Sequence, residues 1–173
     1  LRLKEFEESE YESMAEKVGY LCKKYSATFI VNDNVFVAKS CDAHGVHLGL
    51  TDMSVSEARK ILGFNKIIGG TANTINDVVN RIDEKCNYIG LGPFRFTNTK
   101  QNLSPVLGTE GYKKIISNLN PQQLKTPIYA IGGILASDLE SIMQTNVYGI
   151  AVSGNITNSE NKRELLEKFN TQL

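Results

Sequence analysis

Six short, unbroken apolar runs, each followed by a stretch of helical character, constrain this chain more than any other feature. They occupy residues 27–31, 45–48, 66–69, 87–91, 127–131 and 148–152. A strand with one wet face alternates apolar and polar residues. These runs do not alternate, so each is expected to be a strand buried on both faces, as in a parallel sheet. Parallel neighbours need a crossover of a dozen or more residues, usually a helix, and the spacing supplies one. Ser9 with Glu12, Ser54 with Glu57, and Ser137 with Glu140 stand at capping-box spacing and mark expected helix starts. Met14, Val18 and Leu21 then place an apolar stripe on the first helix, and Ala58, Ile61 and Leu62 place one on a later helix. The pattern is α/β with a parallel sheet.

A doubly wound sheet and a barrel both accept such units. Polar residues gather at the C-terminal end of nearly every run, where a barrel builds its active site from its βα-loops. We therefore expect a TIM (β/α)8 barrel. Six runs, plus Leu1-Arg2-Leu3 as the tail of an earlier strand, fall short of eight units. The expectation is a barrel with the first β/α unit and most of the second strand absent from this chain. No Pro/Ser-rich linker or low-complexity tract interrupts the sequence, so residues 1–173 are expected to form a single domain.

Nineteen Lys and Arg balance nineteen Asp and Glu, leaving no overall field to attract nucleic acid or an anionic membrane. No apolar run approaches the ~18–20 residues of a membrane span. Neither nucleic acid nor membrane is expected as a partner. Cys22, Cys41 and Cys86 are odd in number and scattered. That argues against a disulfide framework or a zinc knuckle and for a cytoplasmic setting.

Candidate chemistry lies at the ends of the runs. Asn32-Asp33 closes the first, and Gly45-Val46-His47-Leu48-Gly49 leads from the second towards Asp52. Two carboxylates at adjacent strand ends suit a hard cation such as Mg2+, although an aspartate at such a place is also a common turn or N-cap residue. Gly90-Leu91-Gly92-Pro93 leads into a loop carrying Thr97, Thr99 and Lys100, whose hydroxyls, amides and ammonium suit a phosphate or pyrophosphate. Gly132-Gly133 and Ser153-Gly154 follow the last two runs. Glycine there lets backbone N–H groups approach a ligand, and these are the usual phosphate loops of a barrel. Arg2 and Lys4 alternate, so they share a face. His47 suits either a satisfied core position or a ligand pocket, His44 is expected at the surface, and Thr71 follows Gly69-Gly70 at another accessible edge.

Taken in order, Leu1-Arg2-Leu3-Lys4, Phe29-Ile30-Val31-Asn32-Asp33, the Gly45–Gly49 segment with Asp52, Tyr88-Ile89-Gly90-Leu91-Gly92-Pro93, Thr97-Asn98-Thr99-Lys100 and Ala130-Ile131-Gly132-Gly133-Ile134 resemble the thiamine phosphate synthase family over residues 1–156. The resemblance implies a transferase that joins hydroxymethylpyrimidine pyrophosphate to hydroxyethylthiazole phosphate, two small-molecule partners, with Mg2+ as cofactor. It implies Asp33 and Asp52 as metal ligands. Arg2, Lys4, Asn32 and Lys100 would grip the pyrophosphate, with Arg2 and Lys100 catalytic. His47 and Thr71 would line the pyrimidine side. Thr97, Thr99, Gly133, Ser153 and Gly154 would hold the thiazole phosphate. Where the family's last-strand motif carries Ser this chain has Gly154, and Leu50 stands where the family commonly has Gln. Two alternatives stay open: a thiazole tautomerase-like isomerase on the same barrel, and a non-catalytic phosphate-binding fragment. The exposed sheet edges of such a fragment would invite pairing with a second copy, making a homo-oligomer.

Overall fold

The structure, a computed structural model, describes residues 1–3, 6–96 and 105–171. The chain divides into two compact units, one of residues 1–71 with 83–87 and one of residues 72–82 with 88–173. In chain order the first carries α1 (Glu8–Lys24), β1 (Ile30–Asn32), α2 (Val35–Ser40), β2 (Gly45–Leu48), α3 (Val55–Leu62) and β3 (Ile67–Ala72), whose last residue begins the second unit. The second continues with α4 (Ile75–Asp83, its last residue in the first unit), β4 (Tyr88–Leu91), α5 (Gly108–Ser117), β5 (Ile128–Ile131), α6 (Leu139–Met143), β6 (Gly149–Ala151), α7 (Gly154–Thr157) and α8 (Lys162–Asn170). All six expected runs are strands.

In the first unit β1, β2 and β3 run parallel, with Asn32 opposite His47 and His47 opposite Gly69. Val31, Val46, Leu48 and Ile68 turn towards the helices and are fully buried with Val37 and Ala58. Asn32 and His47, one residue out of phase, take the opposite face. Leu1 lies along β1 as a further parallel strand would: its nitrogen donates to Ile30 O at 2.7 Å, and Asn32 N–H donates to Leu1 O at 2.9 Å.

Two local expectations for α1 give way. The helix starts before Ser9, because Glu7 and Glu10 offer the reciprocal cap earlier: Glu10 Oε2 accepts the Glu7 N–H at 3.3 Å. Its buried stripe is Tyr11 and Ala15, continued by the partly buried Val18 and Cys22, while Met14 and Leu21 turn outward. The stripe therefore sits one residue around from the one expected. Ser54, by contrast, caps α3 as its spacing implies, accepting Glu57 N–H at 3.2 Å and donating to Glu57 Oε2 at 2.6 Å.

In the second unit β4, β5 and β6 are also parallel, with Leu91 opposite Ala130 and Ala130 opposite Ile150. Ile89, Leu91, Ala130, Tyr112 and Ile142 form the centre of its core. The buried Tyr112 hydroxyl donates to Leu91 O at 2.7 Å, and burial pushes its phenol well above the ordinary range. Ser137 does not start a helix as expected. Asp138 Oδ2 takes the Leu135 N–H at 2.8 Å, closing a 3-10 turn over Ala136–Asp138 before α6 begins. Among the described residues no helix is long and apolar enough to cross a membrane.

Candidate functional site

Within the first unit, five expected site residues, Asn32, Asp33, His47, Asp52 and Thr71, lie at or just after the C-terminal ends of β1, β2 and β3. Asp33 leaves β1 with φ +65°, a left-handed backbone that costs a non-glycine residue about 1–2 kcal/mol. Two bonds hold it there: Asp33 N–H donates to His47 O and Asn34 N–H donates to Asn32 O, both at 2.8 Å. Asn34 then caps α2, accepting Val37 N–H at 2.9 Å. Residues kept in costly backbone regions by several neighbours concentrate at ligand sites. Asp33 opens onto a shallow depression of about 340 Å3 that it lines with Asn34, Val35, Phe36 and Met53, the last adjoining Asp52.

Asp52 does two things at once. Its Oδ2 accepts the Gly49 N–H at 2.5 Å, closing the loop after β2. Its Oδ1 lies outside that bond. The turn-former role considered for this residue is therefore real and leaves an oxygen over. His47 Nε2 and Thr71 Oγ1 are 3.0 Å apart. Their strands are paired, and Thr71 follows Gly69, the partner of His47, by two residues, so both side chains share a face. Arg2 sits between Leu1 and Leu3, which pack against the core, so its side chain takes the other face.

Asp33, just after β1, and Asp52, in the loop after the paired β2, offer hard carboxylate oxygens on neighbouring segments. Among the described residues no cluster of three or more His, Cys, Asp or Glu side chains lies together. Such a pair fits a cation like Mg2+, which commonly completes its shell with phosphate oxygens and water.

The second unit holds its expected residues differently. Gly132 and Gly133 have φ +91° and +71° and lie hard against the segment after β4. A Cβ on Gly132 would fall 2.8 Å from Pro93 Cα, and one on Gly133 would fall 3.1 Å from both Arg95 Cβ and Arg95 O. Glycine is required here by backbone and by space. At Gly154 nothing lies within 4 Å of an added Cβ, and Ser153, just before α7, makes no side-chain cap bond. Lys4, Thr97, Thr99 and Lys100 lie outside the described residues.

Three residues escaped the sequence argument, and a fourth, His44, took a further part. Tyr11 donates towards Leu1 O at 3.2 Å and Asn32 O at 2.8 Å, joining the Arg2 segment to the end of β1. Burial, then the nearby Asp33, raises its phenol above the usual value. A tyrosine on the buried stripe of α1 was the available signal, since a buried hydroxyl needs a partner. His44, exposed as expected, also accepts Phe29 N–H on Nδ1 at 2.9 Å. Arg95 and Asp138 form a two-pronged pair, Nη1 to Oδ2 at 2.9 Å and Nη2 to Oδ1 at 2.8 Å, 43 residues apart and without any local signal. The Arg95 bond holds the Asp138 carboxyl below the ordinary range.

Residues 1–156 match the family model described as thiamine monophosphate synthase. The whole chain is 55% identical to the thiamine-phosphate synthase of Flavobacterium psychrophilum, covering 84% of that protein, and 51% identical to that of Flavobacterium johnsoniae, covering 82%. Among solved structures it resembles the thiamine phosphate pyrophosphorylase of Pyrococcus furiosus, with a TM-score of 0.86 and 30% identity over 98% of this chain and 79% of that one.

Proposed function

Because the chain belongs to the thiamine monophosphate synthase family, its activity is the synthesis of thiamine phosphate by group transfer, and we propose that it joins hydroxymethylpyrimidine pyrophosphate to hydroxyethylthiazole phosphate. The bond between the pyrimidine methylene and pyrophosphate breaks, and its electron pair leaves with the pyrophosphate. The thiazole nitrogen lone pair then forms the new carbon–nitrogen bond. No strong base is needed. Catalysis lies in holding the two substrates in line and in meeting charge where it grows on the leaving group.

The observation that carries this reading is the rim of the first unit, where Asp33 directly follows β1 and Asp52 lies in the loop after the paired β2, on the strands that carry the His47–Thr71 contact. Asp33 and Asp52 would hold Mg2+, which when bound neutralises charge on the pyrophosphate. Arg2, on the segment beside β1, would bring a cation to the same substrate group, with Asn32 at the end of that strand, and Lys4 and Lys100 are assigned to the same task. His47 and Thr71 offer a polar edge to the pyrimidine. Gly133, Ser153 and Gly154 offer backbone N–H groups to the thiazole phosphate, with Thr97 and Thr99 as hydroxyl donors. Cys22, Cys41 and Cys86 form no disulfide with one another, which supports a cytoplasmic setting.

Incubation with both substrates and Mg2+ should release thiamine phosphate and pyrophosphate in equal amounts, and chelation of the metal should stop both. Isomerised thiazole phosphate with no joined product would replace this reading with the tautomerase-like one.

A further inference from the structure

We propose that Arg95, locked by Asp138, is a positioning residue that sets the backbone of the thiazole-phosphate loop. The inference rests on the reading of Gly133 given above and adds to it what holds that loop. Arg95 Nη1 donates to Gly133 O at 2.8 Å while the same guanidinium is forked onto Asp138. A peptide unit is planar and trans, so its carbonyl and its N–H point in opposite directions. Fixing Gly133 O on Arg95 therefore aims the Ile134 N–H away from the guanidinium. Among the described residues no backbone carbonyl takes the Gly133 or Ile134 N–H.

The rest of the loop is bound to the same segment. Phe94 N–H donates to Ile131 O at 2.8 Å and Arg95 N–H to Gly132 O at 3.0 Å. Three successive carbonyls, those of Ile131, Gly132 and Gly133, are thus held by two consecutive residues. The Arg95 guanidinium also lies 5.3 Å from the centre of the Phe94 ring. Asp138, with its side chain only 13% exposed, takes the Leu135 N–H with the oxygen that also takes Arg95 Nη1. One carboxylate therefore fixes both the cation and the far end of the Gly133–Leu135 segment.

The test is two-substrate kinetics, with thermal melts and calorimetric titration of hydroxyethylthiazole phosphate, on the parent chain and on Arg95→Gln, Asp138→Asn, Arg95→Lys and the Arg95→Gln/Asp138→Asn double variant. Arg95→Gln should raise the KM for the thiazole phosphate about tenfold, the scale of one lost charged hydrogen bond, with kcat and the KM for the pyrimidine pyrophosphate changed less than about threefold. Asp138→Asn should move the same constant in the same direction by less. The double variant should be no worse than Arg95→Gln alone, because the two residues act through one bond network. Arg95→Lys, which keeps the charge but not the fork, should fall between parent and Arg95→Gln. A thiazole-phosphate KM unchanged in both single variants would overturn the proposal, as would a uniform loss of activity that tracks a lowered melting midpoint. Should Arg95→Gln fail to fold, Asp138→Asn and Arg95→Lys carry the same comparison. A parent that binds the thiazole phosphate without joining it, and loses that binding in Arg95→Gln, would defeat the activity reading and leave the clamp standing.

Discussion

At the ends of β1 and β2 the chain holds its chemistry through side chains and amides that bond across neighbouring strands and loops. At the end of β5 it holds bare backbone by crowding and by one distant ion pair. Asp33 is fixed through its own N–H on His47 O, and Asp52 through its carboxylate on the Gly49 N–H. Gly133 has no side chain to fix, so its position comes from Arg95 and from the φ that only glycine adopts without strain. On the proposed assignment, the contrast teaches that two kinds of ligand grip call for two kinds of support. Carboxylates that meet a cation can double as loop closers, because a carboxylate has oxygens to spare. Amides that meet a phosphate need their carbonyls tied elsewhere.

The largest effect should come from the first rim. Asn tolerates the left-handed backbone as Asp does, so Asp33→Asn removes the charge and keeps the turn. Removing mere outer-sphere partners of a metal costs about 10–100-fold, and a ligand should cost at least about a hundredfold in kcat/KM. The melting midpoint should stay within about 2 °C, since the backbone strain is unchanged. A variant that keeps full turnover, assayed across Mg2+ concentrations, would reduce Asp33 to a turn residue and erase the difference between the two rims.

Next in size is a contrast inside the second unit. Gly133→Ala must place a Cβ at φ +71° and 3.1 Å from Arg95. Left-handed strain alone costs about 1–2 kcal/mol, and in a chain of this size each kcal/mol lowers the melting midpoint by roughly 2–4 °C. Gly154→Ala meets nothing within 4 Å and should melt within about 1 °C of the parent. Equal melts for the two would show that the Gly132-Gly133 loop is not packed as described.

That pair also marks how far the sequence could be followed. Six strands were legible because parallel strands buried on both faces leave continuous apolar runs, and Asn32-Asp33 was legible because its chemistry and its place at a strand end coincide. The two glycine loops looked alike in sequence. Only the folded backbone and its packing separate the crowded, left-handed Gly133 from the open Gly154, and that packing is set by residues 93–96, far away along the chain. Ser54 was found as a cap because its partner is three residues off. Ser9 and Ser137 had the same spacing, but Glu7 with Glu10 caps α1 two residues earlier, and Asp138 closes its turn on the Leu135 N–H two residues before Ser137. The stripe of α1 was misplaced because Met14 and Leu21 are apolar yet exposed, which apolarity alone never excludes.

A smaller effect tests the first rim's support. Tyr11→Phe removes a hydroxyl that faces Asn32 O and Leu1 O. Net losses of about 0.5–1.5 kcal/mol per hydrogen bond predict a melting midpoint lower by a few degrees. If the hydroxyl also steadies the Arg2 segment, the KM for the pyrimidine pyrophosphate should rise while that for the thiazole phosphate holds. The opposite selectivity would break the assignment of the two substrates to the two rims.

The smallest effect is the pH dependence of the second rim's clamp. Arg95 holds the Asp138 carboxyl below its ordinary value near 3.8. A carboxyl depressed in the folded chain contributes stability above its unfolded value, and that contribution is lost as pH falls through the folded one. The clamp should therefore be at full strength at neutral pH and weaken only in acid below about pH 4. The Arg95 side chain is 44% exposed, so solvent screening limits the coupling to about 0.2–1 kcal/mol. Urea unfolding at pH 7 and at pH 3 should give a larger difference for the parent than for Arg95→Gln, and added salt should narrow that gap. Equal differences for the two proteins would mean that Asp138 draws its stability from the Leu135 amide alone, and the two rims would then differ in their ligands but not in how they are held.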